Sequence, residues 1–397
     1  MSHQVLIAGV GMVPFRRPGQ SDPYDVMAEA AVRAALDDAQ LDYDLVDQAF
    51  ASFVYADSCS GQRSLYRVGM TGIPIVNVNN NCASGSTALQ LARTAVLSGE
   101  AECTLAVGFE EMPAGAVNRT FPHLADPLAA HLQCVGEAMG LSERERSTPP
   151  ALQLFAAQLE RMRTELGIGD EIFAQVAVKA RAHAANNPNA IFRDPLTVAQ
   201  ILAEPPLFGH LRKLYACPPS CGAAAVIVCS PRFAARHGLA QRVVIRAQVM
   251  VSDLAEDLDH PNVLDALGRD ATRRAARHAY QLAGVGPEDI DVAEVHDCFV
   301  SNELIACSSL GFCGENELTR FVTEGRNTYG GDVVVCPSGG LLSKGHPLGA
   351  TGLAQIAELT WQLRGQAGGR QVERARIGLQ HNLGIGSSLS VTILQAC

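Results

Sequence analysis

Asn79-Asn80-Asn81-Cys82-Ala83-Ser84-Gly85-Ser86 and Gly339-Gly340-Leu341-Leu342-Ser343-Lys344-Gly345-His346-Pro347-Leu348-Gly349-Ala350-Thr351-Gly352 are the two stretches on which the fold turns. Each ends an apolar run, is rich in small residues and leads straight into a helical pattern. Gly85-Ser86-Thr87-Ala88-Leu89 and Gly349-Ala350-Thr351-Gly352-Leu353 are similar to each other, so the two loops read as equivalent corners of a duplicated unit. A cysteine and a histidine presented in this way are the ingredients of a thiol nucleophile and its base.

The pattern around the first loop is alternating strand and helix. Residues 3–10 read as a strand ending at Gly9-Val10-Gly11, but Pro14 stands where a dinucleotide fingerprint needs its third glycine, so that reading is rejected. A helix follows over 24–39, then strands at Val46 to Val54 and Ile73 to Val78. A helix from Ser84 to Leu97 stacks Ala88, Ala92 and Val96, and Leu105-Ala106-Val107 forms a short strand. The second loop has the same surroundings: a strand at 242–252, a helix at 266–283, a strand through Val292 and Val295 ending at His296, a strand at Val333-Val334-Val335 and a helix from Ala350 to Leu363. Two copies of one mostly parallel α/β unit, sharing a central helical layer, are the simplest account. The chain divides into a first half over 1–112, an inserted lid over 113–220, a return strand and linker over 221–241, and a second half over 242–397. Thr148-Pro149-Pro150 opens an apolar helix in the lid, whose Arg181 and Lys213 read as solvated charges by default, with a phosphate contact as the alternative.

With 397 residues, 47% hydrophobic and 18% charged, the chain can bury a sizeable core. A net charge of -10 gives no general electrostatic reason to bind nucleic acid or an anionic membrane. No apolar run reaches the length of a membrane span, and Met1-Ser2-His3-Gln4 lacks the features of a signal peptide, so a soluble, cytoplasmic protein is expected. Twelve scattered cysteines suit a reducing compartment. Cys217 and Cys221 are followed by no histidine or second cysteine pair at zinc-finger spacing, and no metal site is expected. Gln395-Ala396-Cys397 is not the usual peroxisomal address.

Cys82 precedes a helix whose free amides and dipole can lower a thiol pKa, and its small neighbours permit close approach of a substrate. His346, bracketed by Gly345 and Pro347, reads as the base that takes the Cys82 proton and then donates to a developing oxyanion. In His296-Asp297-Cys298-Phe299, the histidine at a strand end can hold a water or donate to a carbonyl. Cys298 reads either as a proton carrier or as an inert small hydrophobe. In His381-Asn382-Leu383-Gly384-Ile385-Gly386, Gly384 can offer an amide to an oxyanion while His381 orders the loop. Cys307, Cys313 and Cys336 read as packing or surface residues.

Together with Asn327-Thr328-Tyr329-Gly330-Gly331 and Pro337-Ser338-Gly339, these motifs resemble the thiolase superfamily over nearly the whole chain, and within it the sterol carrier protein X type of 3-ketoacyl-CoA thiolase. The resemblance implies a thiolase fold: duplicated mixed five-stranded sheets in a layered α-β-α-β-α core with an inserted lid. It implies that Cys82 attacks a 3-oxoacyl-CoA, that His346 activates Cys82 and shares a first oxyanion site with water held by His296, and that Cys298 moves the second proton. The Cys82 and Gly384 amides would form the second oxyanion site. Ordinary thiolases carry a late Cys-x-Gly loop; His381-Asn382-Leu383-Gly384 stands there instead, as in the carrier subgroup. Coenzyme A is then a substrate, no cofactor is tightly bound, and a homodimer or a tetramer is expected. Cys221 replaces the family's usual aspartate in Ser220-Cys221-Gly222, and Ser387-Ser388 replaces glycine and small apolar residues. The expected activity is thiolysis of medium, long or branched 3-oxoacyl chains to acetyl-CoA or propionyl-CoA. Its rivals are a biosynthetic acyltransferase or condensing enzyme, a steroid-CoA side-chain retro-aldolase working with a small partner protein, and a non-catalytic acyl-CoA or lipid carrier.

Overall fold

The apolar runs of the two halves become strands of one sheet. The computed structural model describes residues 4–115, 121–240, 242–259, 262–386 and 388–397. Its strands are β1 (Val5–Met12), β2 (Gln48–Ser52), β3 (Ile75–Val78), β4 (Cys103–Glu110), β5 (Pro206–Phe208), β6 (Leu211–Arg212), β7 (Gly222–Cys229), β8 (Val243–Val251), β9 (Val292–Glu294), β10 (Val334–Val335), β11 (Ile377–Gly384) and β12 (Ser388–Ala396). Ser387 lies outside the described residues, so of the Ser387-Ser388 pair only Ser388 is placed, at the start of β12.

The duplication is visible in the pairing. The first half runs β3-β2-β4-β7-β1 and the second β10-β9-β11-β12-β8. In each, the first two neighbour pairs are parallel and the last two antiparallel. Each half is therefore mixed rather than mostly parallel. The halves are also joined: β1 and β8 pair at Val5↔Ile245 and Leu6↔Val244, making one ten-stranded sheet of two five-stranded halves.

Helices cover both faces. The segment Leu105 to Val107 grows into the eight-residue β4 because Cys103, Thr104, Gly108, Phe109 and Glu110 are also buried, between neighbours β2 and β7. On one outer face the helix Tyr24–Ala39 buries Ala28, Ala31, Val32 and Ala35, and Gly11 of β1 lets it come close: a Cβ there would stand 2.4 Å from the Ala31 carbonyl. The helix Arg269–Ala283 covers the second half with Ala271, Ala275, Ala276 and Ala279. Between the halves, the helices Ser84–Ser98 and Leu348–Arg364 share a core in which Ala88, Ala92, Leu353 and Ala357 meet Val226 of the first half and Val292 and Leu394 of the second. Gly85 makes this contact: its Cβ would fall 2.9 Å from the Gly349 carbonyl.

Between β4 and β7 the chain leaves the sheet for the helices Ala129–Met139, Pro150–Glu165 and Asp170–Ala184, with shorter elements and the β5-β6 ribbon. Phe155, Leu159 and Phe173 join one apolar core with Leu304, Phe321 and Leu341, so this segment packs on the second half. No helix among the described residues is long and apolar enough to cross a membrane.

Candidate active site

The Cys82 turn is built by asparagines. Asn81 takes the left-handed φ of 50°, which asparagine tolerates better than most side chains. Its amide donates to Asn79 Oδ1 at 3.0 Å, and the Asn80 amide donates to Ser84 Oγ at 2.8 Å. The turn is also held by the other half of the molecule: Asn81 Nδ2 donates to the Ile385 carbonyl at 3.1 Å. Gly384 packs on the same turn, where a Cβ would stand 2.4 Å from the Asn80 carbonyl.

The His346 loop is gripped in return by the first half and by the end of the lid. The Gly349 amide donates to Glu110 Oε2 at 2.9 Å, and Ser52 Oγ donates to the Gly349 carbonyl at 2.8 Å. The His346 amide donates to Ser220 Oγ at 2.9 Å. Cys221, at the position of the expected aspartate, is buried beside the Met112 carbonyl, 3.6 Å from its Sγ.

These constraints bring Cys82, His296 and His346 together: one ligand atom of each lies within 4.8 Å of the others, and all three side chains are buried. The imidazoles of His296 and His346 meet edge to face, with centroids 5.0 Å apart. Among the described residues, neither Nε2 has a hydrogen-bond partner. Cys298 lines the same cavity, of about 670 Å³, with Cys82 and His346. The cavity's walls are largely apolar, with Met112, Leu152, Phe155, Phe299 and Leu348, and Phe155 stacks on Phe299 at 4.3 Å. Phe121 and Leu124, more than half exposed, stand among the lining residues.

Hydrogen bonds assign the proton on each histidine. Thr351 Oγ1 donates to the Pro347 carbonyl at 2.9 Å, so at 2.7 Å it accepts from His346 Nδ1–H. His346 Nε2 is then an unprotonated base. Ser86 Oγ donates to Asn382 Oδ1 at 2.7 Å, which turns Asn382 Nδ2 toward His296 Nδ1 at 3.0 Å. His296 therefore carries its proton on Nε2, as a donor. His381 Nδ1 accepts the His296 amide at 3.3 Å and its Nε2 meets Thr272 Oγ1 at 3.2 Å, so His381 orders the loop.

Burial dominates the electrostatics. It pushes the Cys82 thiol up to about 12, and Glu110 adds to the rise, against the amides of Ile385 and Cys82 that favour the thiolate. The pKa lowering expected from the helix start is thus outweighed, and Cys82 is a neutral thiol in this state. The amides of Cys82 and Ile385 reach its sulfur, and Gly384 lies against the same turn. Burial holds His346 down at about 3, and His296 well below 6.5 with help from His346 and His381, so both are neutral. Burial raises Cys298 well above 9.0, with Cys217, Cys82 and Asp297 adding to the rise.

A buried polar layer lies behind this face. Gln355 Nε2 donates to the carbonyls of Val295 at 3.1 Å and His381 at 3.2 Å, holding the ends of β9 and β11 together. The Leu341 amide donates to Asp297 Oδ1 at 2.7 Å, linking the loop of His296 and Cys298 to the start of the His346 loop. Cys82, His296 and His346 are close enough to share an ion, as are Asp297, Glu303 and Cys336. Lys179, 2.6 Å from Glu303, supplies positive charge at the second cluster.

All five residues singled out in the sequence stand at or beside this cavity: Cys82, Cys298 and His346 line it, His296 joins their cluster, and Gly384 supports the turn of Cys82. Thr351, Asn382 and Ile385 lie within the catalytic-loop motifs but carry no local signal of a role, and Cys217 carries none beyond its spacing from Cys221. Two such halves, with a cysteine and paired histidines between them, make the thiolase fold. The sequence pattern of the thiolase N-terminal domain matches residues 5–202, and that of a thiolase C-terminal domain-like segment matches 255–396; the chain belongs to the thiolase family. It is 46% identical over 394 residues to Sterol carrier protein 2 of Homo sapiens, covering 98% of this chain and 71% of that protein. It superposes on the Ltp2-ChsH2(DUF35) aldolase with a TM-score of 0.82 at 25% identity, covering 99% of this chain and 98% of that one. Human mitochondrial 3-ketoacyl-CoA thiolase in complex with CoA shares the fold, with a TM-score of 0.73 at 19% identity over 99% and 98% of the chains.

Proposed function

We propose that the chain cleaves a 3-oxoacyl-CoA with coenzyme A through an acyl-Cys82 intermediate. The observation that carries this reading is the unprotonated His346 Nε2 grouped with the Cys82 thiol and the His296 Nε2–H donor, beside the cavity that Cys82, His346 and Cys298 line. His346 takes the thiol proton as Cys82 attacks the 3-keto carbon, and the oxyanion formed there meets the amides of Cys82 and Ile385. The bond between C2 and C3 breaks, leaving the acyl group on Cys82 and an enolate whose oxygen meets the Nε2–H of protonated His346 and a water held by the His296 Nε2–H. Cys298 protonates that enolate, releasing acetyl-CoA, or propionyl-CoA from a 2-methyl substrate. The Cys298 thiolate then takes the proton of incoming CoA, whose sulfur attacks the acyl thioester; the departing Cys82 recovers its proton from His346. The apolar cavity walls suit a medium, long or branched acyl chain.

The same cavity carries a second reading, favoured by the likeness to the Ltp2-ChsH2(DUF35) aldolase: retro-aldol cleavage of an acyl-CoA side chain with a partner protein. That chemistry needs a base but no acyl-cysteine. We further place the protein in a reducing cytoplasmic compartment, in keeping with its free cysteines, and as a homodimer through the exposed edge strand β3, where Val76 is exposed and Met70 and Leu91 add apolar surface.

The test follows mass and rate together. Straight and branched 3-oxoacyl-CoA substrates with CoA should yield acetyl-CoA or propionyl-CoA and a trappable thioester on Cys82. Cys82→Ser should lose both, by a factor of about 10⁴ or more in rate. Turnover unchanged in Cys82→Ser moves the protein to the aldolase reading.

A further inference from the structure

Another thiol faces this cavity. Cys217 lines it with Cys82 and Cys298 and is the more exposed of the pair it forms with Cys298. Ala216 and Phe299 form an antiparallel bridge, and the Cys217 amide donates to the Cys298 carbonyl at 2.8 Å. That register sets Cys217 directly opposite Cys298. Opposed residues of an antiparallel pair point to the same face with Cα atoms about 5.5 Å apart, inside the span of about 4.4 to 6.8 Å that a disulfide bridges. Cys103 and Cys229 are also opposed, between β4 and β7, but both are fully buried in the core and do not line the cavity. Opposition and access coincide at Cys217 and Cys298.

We propose that Cys217 and Cys298 close a reversible disulfide that switches the site off when a low-molecular-weight disulfide enters the cavity. The Cys217 thiolate attacks one sulfur of the entering disulfide; its S–S bond breaks, and one thiol departs with a proton. The Cys298 thiolate then attacks Cys217 Sγ, expelling the second thiol, which also leaves protonated. Two electrons and two protons pass from the two cysteines to the disulfide, giving two free thiols and the Cys217–Cys298 bond. Free thiol in excess, including the coenzyme A of the proposed reaction, reverses both exchanges. The effect on turnover rests on the role of Cys298 in that reaction; the bond itself does not.

The experiment incubates the full chain with reduced and oxidised glutathione at a series of ratios, traps free thiols by alkylation, and maps the linked peptides by mass. Thiolysis is followed in parallel, before and after dithiothreitol. The expected result is a 217–298 linkage whose fraction tracks a loss of activity of about 100-fold, with full recovery on reduction. Cys217→Ala and Cys217→Ser should each form no linkage and keep most of their own reduced activity at the same ratio, while Cys103→Ala links as the unmodified chain does. A linkage between Cys82 and Cys298 instead, no linkage at any ratio, or equal reversible inactivation of the Cys217 variants overturns the proposal. A 217–298 linkage in protein that shows no thiolysis even when reduced supports the disulfide and overturns the thiolase reading.

Discussion

The two halves share one strand pattern, yet they do different work at the site. The first half presents Cys82 on a short asparagine turn that opens to an apolar cavity. The second presents His296, Cys298 and His346 in front of a buried polar layer of Glu294, Asp297, Glu303, Gln355 and Gln380. Each half also holds the other's loop: Ser52 and Glu110 of the first grip Gly349, while Gly384 and Ile385 of the second meet the Cys82 turn. The difference teaches that a duplicated frame supplies the positions, and that what lies behind each strand end supplies the chemistry. Proton handling needs fixed tautomers, which need satisfied polar neighbours; a thiol that waits as a neutral group needs only a close turn and a dry wall.

Substitutions on the proton-handling side should break this division most sharply. His346→Ala removes the proposed base without touching the turn of Cys82, and thiolysis should fall by about 10³-fold, with slow residual acylation that rises with pH as Cys82 ionises unaided. A single-turnover trap for the acyl-enzyme at several pH values measures this; acylation at the unmodified rate would remove His346 from the mechanism. Asn382→Leu leaves His296 in place but frees its Nδ1, so the Nε2–H is no longer enforced. A loss of about 10- to 100-fold in kcat with KM little changed is expected.

The gripping contacts should give a smaller effect. Gly384→Ala drives a methyl into the Asn80 carbonyl, and the fold should lose about 1 to 3 kcal/mol in denaturant titration while the Cys82 turn shifts and acylation slows. Gly378→Ala, on the same strand, meets only the side chains of Leu359, at 3.2 Å, and Val292, at 3.6 Å, and should cost less. Equal losses at both glycines would mean that the contact between halves does not position Cys82.

Much of this was readable in the sequence because both active loops lie at strand ends, where an apolar run changes abruptly to small residues. The helices Tyr24–Ala39 and Ser84–Ser98 follow the spacing of their alanines, and the second half repeats the first. What could not be read depends on contacts between distant segments. The join of β1 to β8 rests on two residue pairs and leaves no pattern in either strand. Cys217 sits between ordinary lid residues and Pro218, and only the bridge from Ala216 to Phe299 sets it against Cys298. The Cys82 pKa moved opposite to expectation because a helix start is legible in sequence whereas the depth of burial around a thiol is not.

The smallest effect concerns pH. Burial holds His346 and His381, on the second half, at about 3 against an ordinary 6.5. As pH falls from about 6.5 the unfolded chain takes protons that these rings refuse, so the stability each contributes is present above 6.5 and is lost on the way to about 3. Glu110, on the first half, is pushed by burial from 4.5 to about 7, against the amides of Tyr55, Gly349 and Val54 that favour its ionised form. The folded chain keeps that proton while the unfolded chain has released it, so its contribution falls as pH rises from about 4.5 to about 7. His381→Asn should therefore make stability rise less steeply with pH between about 4.5 and 6.5, and Glu110→Gln should make it rise more steeply, each by about 1.4 kcal/mol per pH unit. Urea midpoints across that window measure both slopes. Opposite changes sustain the division between the halves, whereas changes of one sign would mean that a single buried network spans the site and that Glu110 titrates with the histidines.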